Sequence, residues 1–367
     1  MYAARLARDL RERTDARIFG MGGPRMAEAG VELIADYHEV AVVGIAEVLH
    51  KIPSVVSVQN RLAREAVRRK ADLAILVDSP GTHLGVARRL KPKKIPVGYF
   101  IGPQIWAWRA GRVHIVRRRV KKMVVIFPFE EKIYRDAGVP VEFVGHPLVD
   151  VVKPTLSREQ FAANLALDPA KPIVALLPGS RKNEIARNYP IVAQACANLV
   201  RSGGKFAEIQ FVHVAAHGLG PELFAPYAQE GLKIHRIEGG PYDALAAADC
   251  ALVASGTATI EAAILGTPMV VVYRVSPLSA FLARPLIRTK FFAMPNLIAG
   301  RQVVPELIQS DLTAQALERQ ARRLIESPDA RSEMRAALAE VSSCLGHGGA
   351  IERAADVFAT MLGRVSD

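Results

Sequence analysis

The chain has 367 residues, half of them hydrophobic, and a formal net charge of +12. That is enough for two domains of ordinary size, each with its own core. It excludes a disordered or low-complexity chain and a membrane-spanning helix, since no run of about 18 apolar residues exists. The three cysteines, Cys196, Cys250 and Cys344, lie far apart with no CxxC or Cys/His metal spacing, as in a reducing compartment without structural zinc. No signal-peptide pattern is visible.

The chain opens directly in a helical pattern, MYAARLARDLRERT. A doubly wound domain normally places a strand and a glycine-containing turn before that helix. Short strands are then predicted at Arg17–Gly20, Leu73–Asp78, Pro96–Phe100, Met123–Phe127 and Val141–Val144, with helices such as Ile52–Lys70 and Glu130–Ala137 between them. This alternation predicts a parallel α/β sheet. The aperiodic stretch Val149–Leu156, which contains Pro154, reads as a linker. A second α/β series follows, with strands at Ile173–Leu177, Ile209–Val214 and Leu232–Ile237 and helices at Ile185–Arg201 and Pro221–Glu230. Ala251–Arg274 reads as strand, Ser-Gly-Thr turn, compact helix and second strand. Helices at Leu312–Glu326, Asp329–Val341 and Ala350–Leu362 close the chain. The expected division is residues 1–150, residues 151–345, and a last helix in 346–367 that packs back on the first domain. Two such domains place a ligand in a cleft at the carboxyl ends of their sheets.

Charge is unevenly placed. Arg88–Lys122 holds twelve Lys and Arg and no Asp or Glu, together with Tyr99 and the chain's only tryptophans, Trp106 and Trp108. Such a segment suits an anionic bilayer surface, single-stranded nucleic acid, or a plain solubilising helix face beside buried indoles.

Asp78 closes a buried strand in Val-Asp-Ser-Pro. A carboxylate there can take a proton from a hydroxyl nucleophile, or can merely cap the turn. His83 and His146 are the other titratable candidates, with His146 in Val-Gly-His-Pro as readily a packing or hinge residue as a base. In Leu177-Pro178-Gly179-Ser180-Arg181 the glycine permits a tight turn, Ser180 can cap a helix and Arg181 can pair with a diphosphate in bidentate fashion. Ser255-Gly256-Thr257 begins another helix, whose unpaired N–H groups and dipole suit a phosphate. Glu261, one turn further on, can accept bonds from ribose hydroxyls. Together these predict a nucleoside diphosphate; two ordinary strand-to-helix turns are the plain alternative. Asn296 and Glu306 lie in a segment that composition alone reads as a loop and helix start.

In this order the pieces resemble the lipid-A-disaccharide synthases, inverting glycosyltransferases of outer-membrane lipid A synthesis. The resemblance rests on Gly20-Met21-Gly22-Gly23 with Met26, Val43-Gly44-Ile45-Ala46-Glu47-Val48-Leu49, Val77-Asp78-Ser79-Pro80, and Gly102-Pro103-Gln104-Ile105-Trp106-Ala107-Trp108-Arg109. It continues through Phe127-Pro128-Phe129-Glu130, Val144-Gly145-His146-Pro147-Leu148, the two turns above with Glu261, and Pro295-Asn296-Leu297. The resemblance implies a GT-B fold of two Rossmann-like domains and catalysis without a metal or other cofactor. It implies UDP-2,3-diacylglucosamine as donor, 2,3-diacylglucosamine 1-phosphate as acceptor, and a β-1,6-linked disaccharide 1-phosphate and UDP as products. It makes Asp78 the general base, Arg181, Ser255, Gly256 and Thr257 the diphosphate contacts, Glu261 the ribose contact, and Asn296 and Glu306 members of the donor-sugar site. With the basic segment, a cytoplasmic protein peripheral on the inner face of the inner membrane is expected, held by Arg88–Lys122 with Trp106 and Trp108, and no nucleic-acid partner. One departure stands out: the first strand and Gly-Glu-x-Ser-Gly-Asp turn of the family have no counterpart before Met1, so a first domain lacking its N-terminal strand, from a misplaced start codon, is expected. The rival readings are another UDP-sugar GT-B enzyme (an epimerase or a peptidoglycan N-acetylglucosaminyltransferase) and a truncated, inactive binding protein.

Overall fold

A computed structural model describes residues 1–40, 45–106, 111–277, 280 and 289–363, with backbone alone for 45–50. Val43, Gly44, Trp108 and Arg109 lie outside the described residues. The chain divides into two compact units, 1–147 with 345–367 and 148–344.

In the first unit the helix Tyr2–Thr14 leads into β1 (Phe19–Gly22), which pairs in parallel with β2 (Glu32–Asp36). The long helix Ile45–Arg68 leads to β3 (Ala74–Val77), β4 (Val97–Phe100), β5 (Lys122–Val125) and β6 (Val141–Phe143), a four-stranded parallel sheet in that order. The two sheets are separate among the described residues. Helices Pro80–Leu90, Arg112–Arg119 and Pro128–Asp136 connect the strands of the larger one. Tyr99, Met123, Val116, Leu90 and Tyr134 fill its core, all nearly or wholly buried. The last helix, Ala350–Met361, lies against Tyr2–Thr14 and turns Ile351, Ala354, Ala355 and Phe358 fully inward. Its fit explains Gly98: a Cβ there would stand 2.5 Å from the Phe358 ring.

In the second unit β7 (Ile173–Leu177), β8 (Gln210–Ala215), β9 (Ile234–Glu238), β10 (Cys250–Ala254), β11 (Met269–Tyr273) and β12 (Glu306–Ile308) form a parallel sheet ordered β12-β11-β10-β7-β8-β9. Alternate strand residues serve two cores, which is why β7, β10 and β11 read as unbroken apolar runs. Val174, Leu176, Phe211 and Leu252 meet Val192, Leu199, Leu317 and Leu324 of helices Lys182–Arg201 and Ala314–Glu326. Ala175, Val212, Val253 and Val271 meet Leu245, Ala262, Ala263 and Leu338 of helices Pro241–Ala247, Thr257–Ile264 and Pro328–Cys344.

Three local expectations are corrected. Pro221–Glu230 forms two 3-10 turns, Pro221–Leu223 and Ala225–Tyr227, because Pro226, inside the stretch, has no N–H to donate to Glu222 O. Glu306 begins the edge strand β12 instead of a helix, drawn into the ladder by β11. The first strand lies two residues later than its apolar pattern suggests, at Phe19–Gly22, where β2 supplies the register.

Phe358→Ala should lower the stability of the chain by about 3–5 kcal/mol, since it opens a cavity over β4. Urea denaturation of variant and wild type measures the loss, and an unchanged midpoint would show that the last helix does not anchor this unit.

Candidate active site

In the second unit the chain leaves β7 and β10 at the same carboxyl edge, and these two strands are neighbours, with Leu177 opposite Val253. From β7 it runs outward through β8 and β9, and from β10 outward the other way through β11 and β12, so this pair is the topological switch point where α/β sheets bind ligands. Pro178–Arg181 follows one strand and Ser255–Thr257 the other. Arg181 and Thr257 are exposed, and each begins or precedes a helix that no side chain caps. Gly179 and Gly256 adopt φ of 144° and 154°, backbone that residues with a Cβ rarely enter.

An internal anion already occupies the first turn. Glu184 accepts from the Ser180 N–H at 2.9 Å and from the Arg181 guanidinium at 2.9 Å. Asn188, fully buried, ties the same turn to the end of β11 by donating to Pro178 O at 2.9 Å and accepting from the Arg274 N–H at 3.1 Å. Glu261 is half-buried one turn into the second helix, where burial raises its pKa and a bond from the Tyr242 hydroxyl at 3.4 Å partly offsets this.

Asn296 and Glu306 face inward. Asn296 is fully buried, accepts from the N–H groups of Val303 (2.7 Å) and Val304 (2.9 Å), and donates to Val304 O (2.9 Å) and Glu306 (2.6 Å), which exhausts its amide. Glu306 also accepts from the N–H groups of Phe292 and Ala293, both at 2.9 Å. Phe292 O in turn accepts from the Ser255 hydroxyl at 2.8 Å. These residues therefore form a brace behind Ser255, and the Asn296 amide has no open polar group left.

In the first unit Asp78 follows β3 with an exposed side chain and a strained backbone. Asp78 and Ser79 have φ of 54° and 46°, and Ile101 at the end of the neighbouring β4 has 56°. Such conformations cost of order 1–3 kcal/mol each and collect at functional sites. Asp78 is held in place by its N–H to Phe100 O (3.1 Å) and by its carbonyl, which accepts from the Tyr99 hydroxyl (2.8 Å) and the His83 Nδ1–H (2.7 Å). Burial lowers the His83 pKa. His146, after β6, is 3 % exposed, lies against the Phe127 ring, and is pushed down to about 4 by burial.

The basic segment is split by the sheet. Exposed Arg88, Lys91, Lys93 and Lys94 precede β4, and exposed Arg117, Arg118 and Lys121 precede β5, so they stand at the amino edge. Trp106 follows β4 at the opposite edge and donates its indole N–H to Glu130 at 3.2 Å. The expectation of one surface shared by these cations and Trp106 is corrected accordingly, because β4 runs between them.

A hollow of about 580 Å³ beside Arg8, Arg11, Asp15 and Arg17 includes none of these residues. Among the described residues no group of three His, Cys, Asp or Glu side chains is placed to hold a metal.

The family model for lipid-A-disaccharide synthetase matches residues 1–353. The chain belongs to the lipid-A-disaccharide synthase family. It is 44 % identical over 357 residues to the lipid-A-disaccharide synthase of Solibacter usitatus, covering 97 % of this chain and 92 % of that one. It is 41 % identical over 366 residues to that of Geobacter sulfurreducens, covering 99 % and 94 %. Among solved structures it resembles a putative UDP-N-acetylglucosamine 2-epimerase from Listeria monocytogenes, with a TM-score of 0.64 at 14 % identity over 99 % of this chain and 94 % of that one. It also resembles the calicheamicin glycosyltransferase CalG4, with a TM-score of 0.58 at 18 % identity over 100 % and 95 %. At such identities the likeness shows the GT-B fold.

Sequence reasoning missed Glu130, Glu184 and Asn188 in this family member. Glu130 and Glu184 both stand third in a helix, where an acid reaches back to backbone N–H groups, and that position is a readable signal. Asn188 carries none, since its partners come from β7 and β11.

His146 stays neutral in the folded chain down to about pH 4, whereas an unfolded histidine protonates near 6.5. Its contribution to stability is present above that value and is lost as pH falls toward 4. His146→Gln should flatten the pH dependence of the unfolding free energy between about 4 and 6.5; identical slopes for variant and wild type would contradict this.

Proposed function

We propose that the chain transfers 2,3-diacylglucosamine from its UDP derivative to the 6-hydroxyl of 2,3-diacylglucosamine 1-phosphate, giving the β-1,6-linked disaccharide 1-phosphate and UDP. Family membership over nearly the whole chain supports the reaction, and the pairing of two glycine-containing turns at the β7/β10 switch point is the observation that carries the donor site. Arg181, Gly256 and Thr257 hold the diphosphate, which takes the guanidinium from Glu184. Glu261 accepts from the ribose hydroxyls. Ser255 keeps the turn in shape through its bond to Phe292 O, and Asn296 and Glu306 brace that segment instead of touching the sugar.

Asp78 is the general base. Its carboxylate takes the proton of the acceptor hydroxyl as that oxygen bonds to the anomeric carbon and the bond to UDP breaks, a single displacement that inverts the centre. Negative charge collects on the departing diphosphate, and the Arg181 guanidinium and helix-start N–H groups stabilise it. The strained turn at Asp78 and Ser79 keeps the carboxylate at the sheet edge without relying on a flexible loop.

No helix among the described residues is long and apolar enough to cross a membrane. The exposed cations at the amino edge of the first unit's sheet bind an anionic lipid surface, such as the inner face of the inner membrane, by charge alone.

Asp78→Asn should lower kcat by about 100- to 10,000-fold while UDP affinity stays at the wild-type level. Steady-state rates and calorimetric UDP titration check both, and a variant turning over at near wild-type rate would remove Asp78 as the base. Co-sedimentation with anionic vesicles should fall as salt is raised, because screening shortens from about 10 Å at 0.1 M to about 3 Å at 1 M. Binding unchanged across that range would exclude the electrostatic contact.

A further inference from the structure

The helix Pro128–Asp136 grips the loop after β4 with two side chains one turn apart. Glu130 accepts from the Trp106 indole N–H at 3.2 Å through one oxygen and from the Phe127 N–H at 3.3 Å through the other. Tyr134 donates its hydroxyl to Pro103 O at 3.2 Å. The Trp106 ring meets Phe129 edge to face, with centroids 5.3 Å apart, and Phe129 stacks on Phe127 at 5.5 Å. The indole is therefore fixed by a carboxylate at its N–H and by an aromatic ring against it. Ile101 gives the loop a strained start, and Gly102 lies so close to Met123 and Tyr134 that a Cβ would stand 2.3 Å and 3.0 Å from them. A loop held at so many points is a built feature of the carboxyl edge, next to β3, which Asp78 follows.

Glu130 is an unusual choice for this hold. It is 3 % exposed, and its hydrogen-bond donors are an indole and backbone amides instead of a cation. A leucine or methionine would fill the space without the cost of burying an acid. The carboxylate contributes a directional, charge-assisted bond to one indole N–H.

We propose that Glu130 is a positioning residue that seats Trp106, and with it the loop 101–106, for acceptor binding at the carboxyl edge of the first unit's sheet. This rests on the reading that Asp78 serves the acceptor there. The indole bond is strongest when Glu130 is ionised, and burial pushes the acid up to about 7. Tyr134, whose titration feels the Glu130 charge, stays out of that range, since burial first and that charge second raise it above its ordinary value.

In a Trp108→Phe background Trp106 is the only tryptophan, so its emission reports its seat directly. Emission between pH 5 and 9 should show a transition centred near 7, which Glu130→Gln removes. The same substitution should raise the acceptor KM about tenfold, the usual scale for losing a bond to a charged group, and leave the donor KM unmoved. Trp106→Phe keeps the packing on Phe129 but drops the N–H, and should reproduce the acceptor effect even if the Glu130 variant fails to fold. An emission transition that persists in Glu130→Gln, or an acceptor KM at the wild-type level in Trp106→Phe, overturns the proposal. The emission arm needs no turnover, so a chain that transfers no sugar would sink the functional reading and still leave the hold on Trp106 decided.

Discussion

β7 and β10 are distant in the chain and adjacent in the sheet, with Cys250 opposite Val174 and Val253 opposite Leu177. Their parallel ladder brings the two glycine turns to one edge. Had β10 paired beyond β9 instead, Arg181 and Thr257 would each begin a helix at a separate place, and the two turns would share no edge. The register is secured from both faces, since the strands bury alternate residues in two cores and a one-residue slip would exchange every side chain between them.

The same edge carries a second layer of order. Glu184, Asn188, Asn296 and Glu306 spend their polar groups on backbone and on neighbouring side chains, and so hold the turns in shape. A buried amide with all its capacity used is costly to disturb, because each orphaned partner loses its desolvation compensation. Preorganisation of this kind lowers the ordering cost of any binding at such loops.

In the first unit the parallel sheet separates two groups of residues. Its carboxyl edge holds Asp78, Trp106, Glu130 and His146, each just beyond a different strand. Its amino edge holds the exposed cations. Strand direction alone enforces the division: residues before a strand and after it cannot share an edge when all strands run the same way. A segment that is continuous in sequence and uniformly basic is thus two surfaces in the folded chain.

The amino-acid sequence determined the alternation of strand and helix, the two-part organisation and the glycine turns, because each depends on local periodicity and on conformations that only glycine enters readily. The places of Asp78, Arg181, Thr257 and Glu261, at strand ends or one helical turn beyond, were legible for the same reason. Tertiary structure decided what depends on partners far along the chain. It drew Glu306 into an edge strand beside β11, turned Asn296 inward onto Val303, Val304 and Glu306, and parted Trp106 from the cations. It also made Glu130 the acid that holds an indole, since nothing in Phe-Pro-Phe-Glu specifies the loop from β4 that lies above it. A local pattern fixes which conformations a segment can take, but the satisfaction of buried polar groups is settled only by whichever distant backbone arrives beside them.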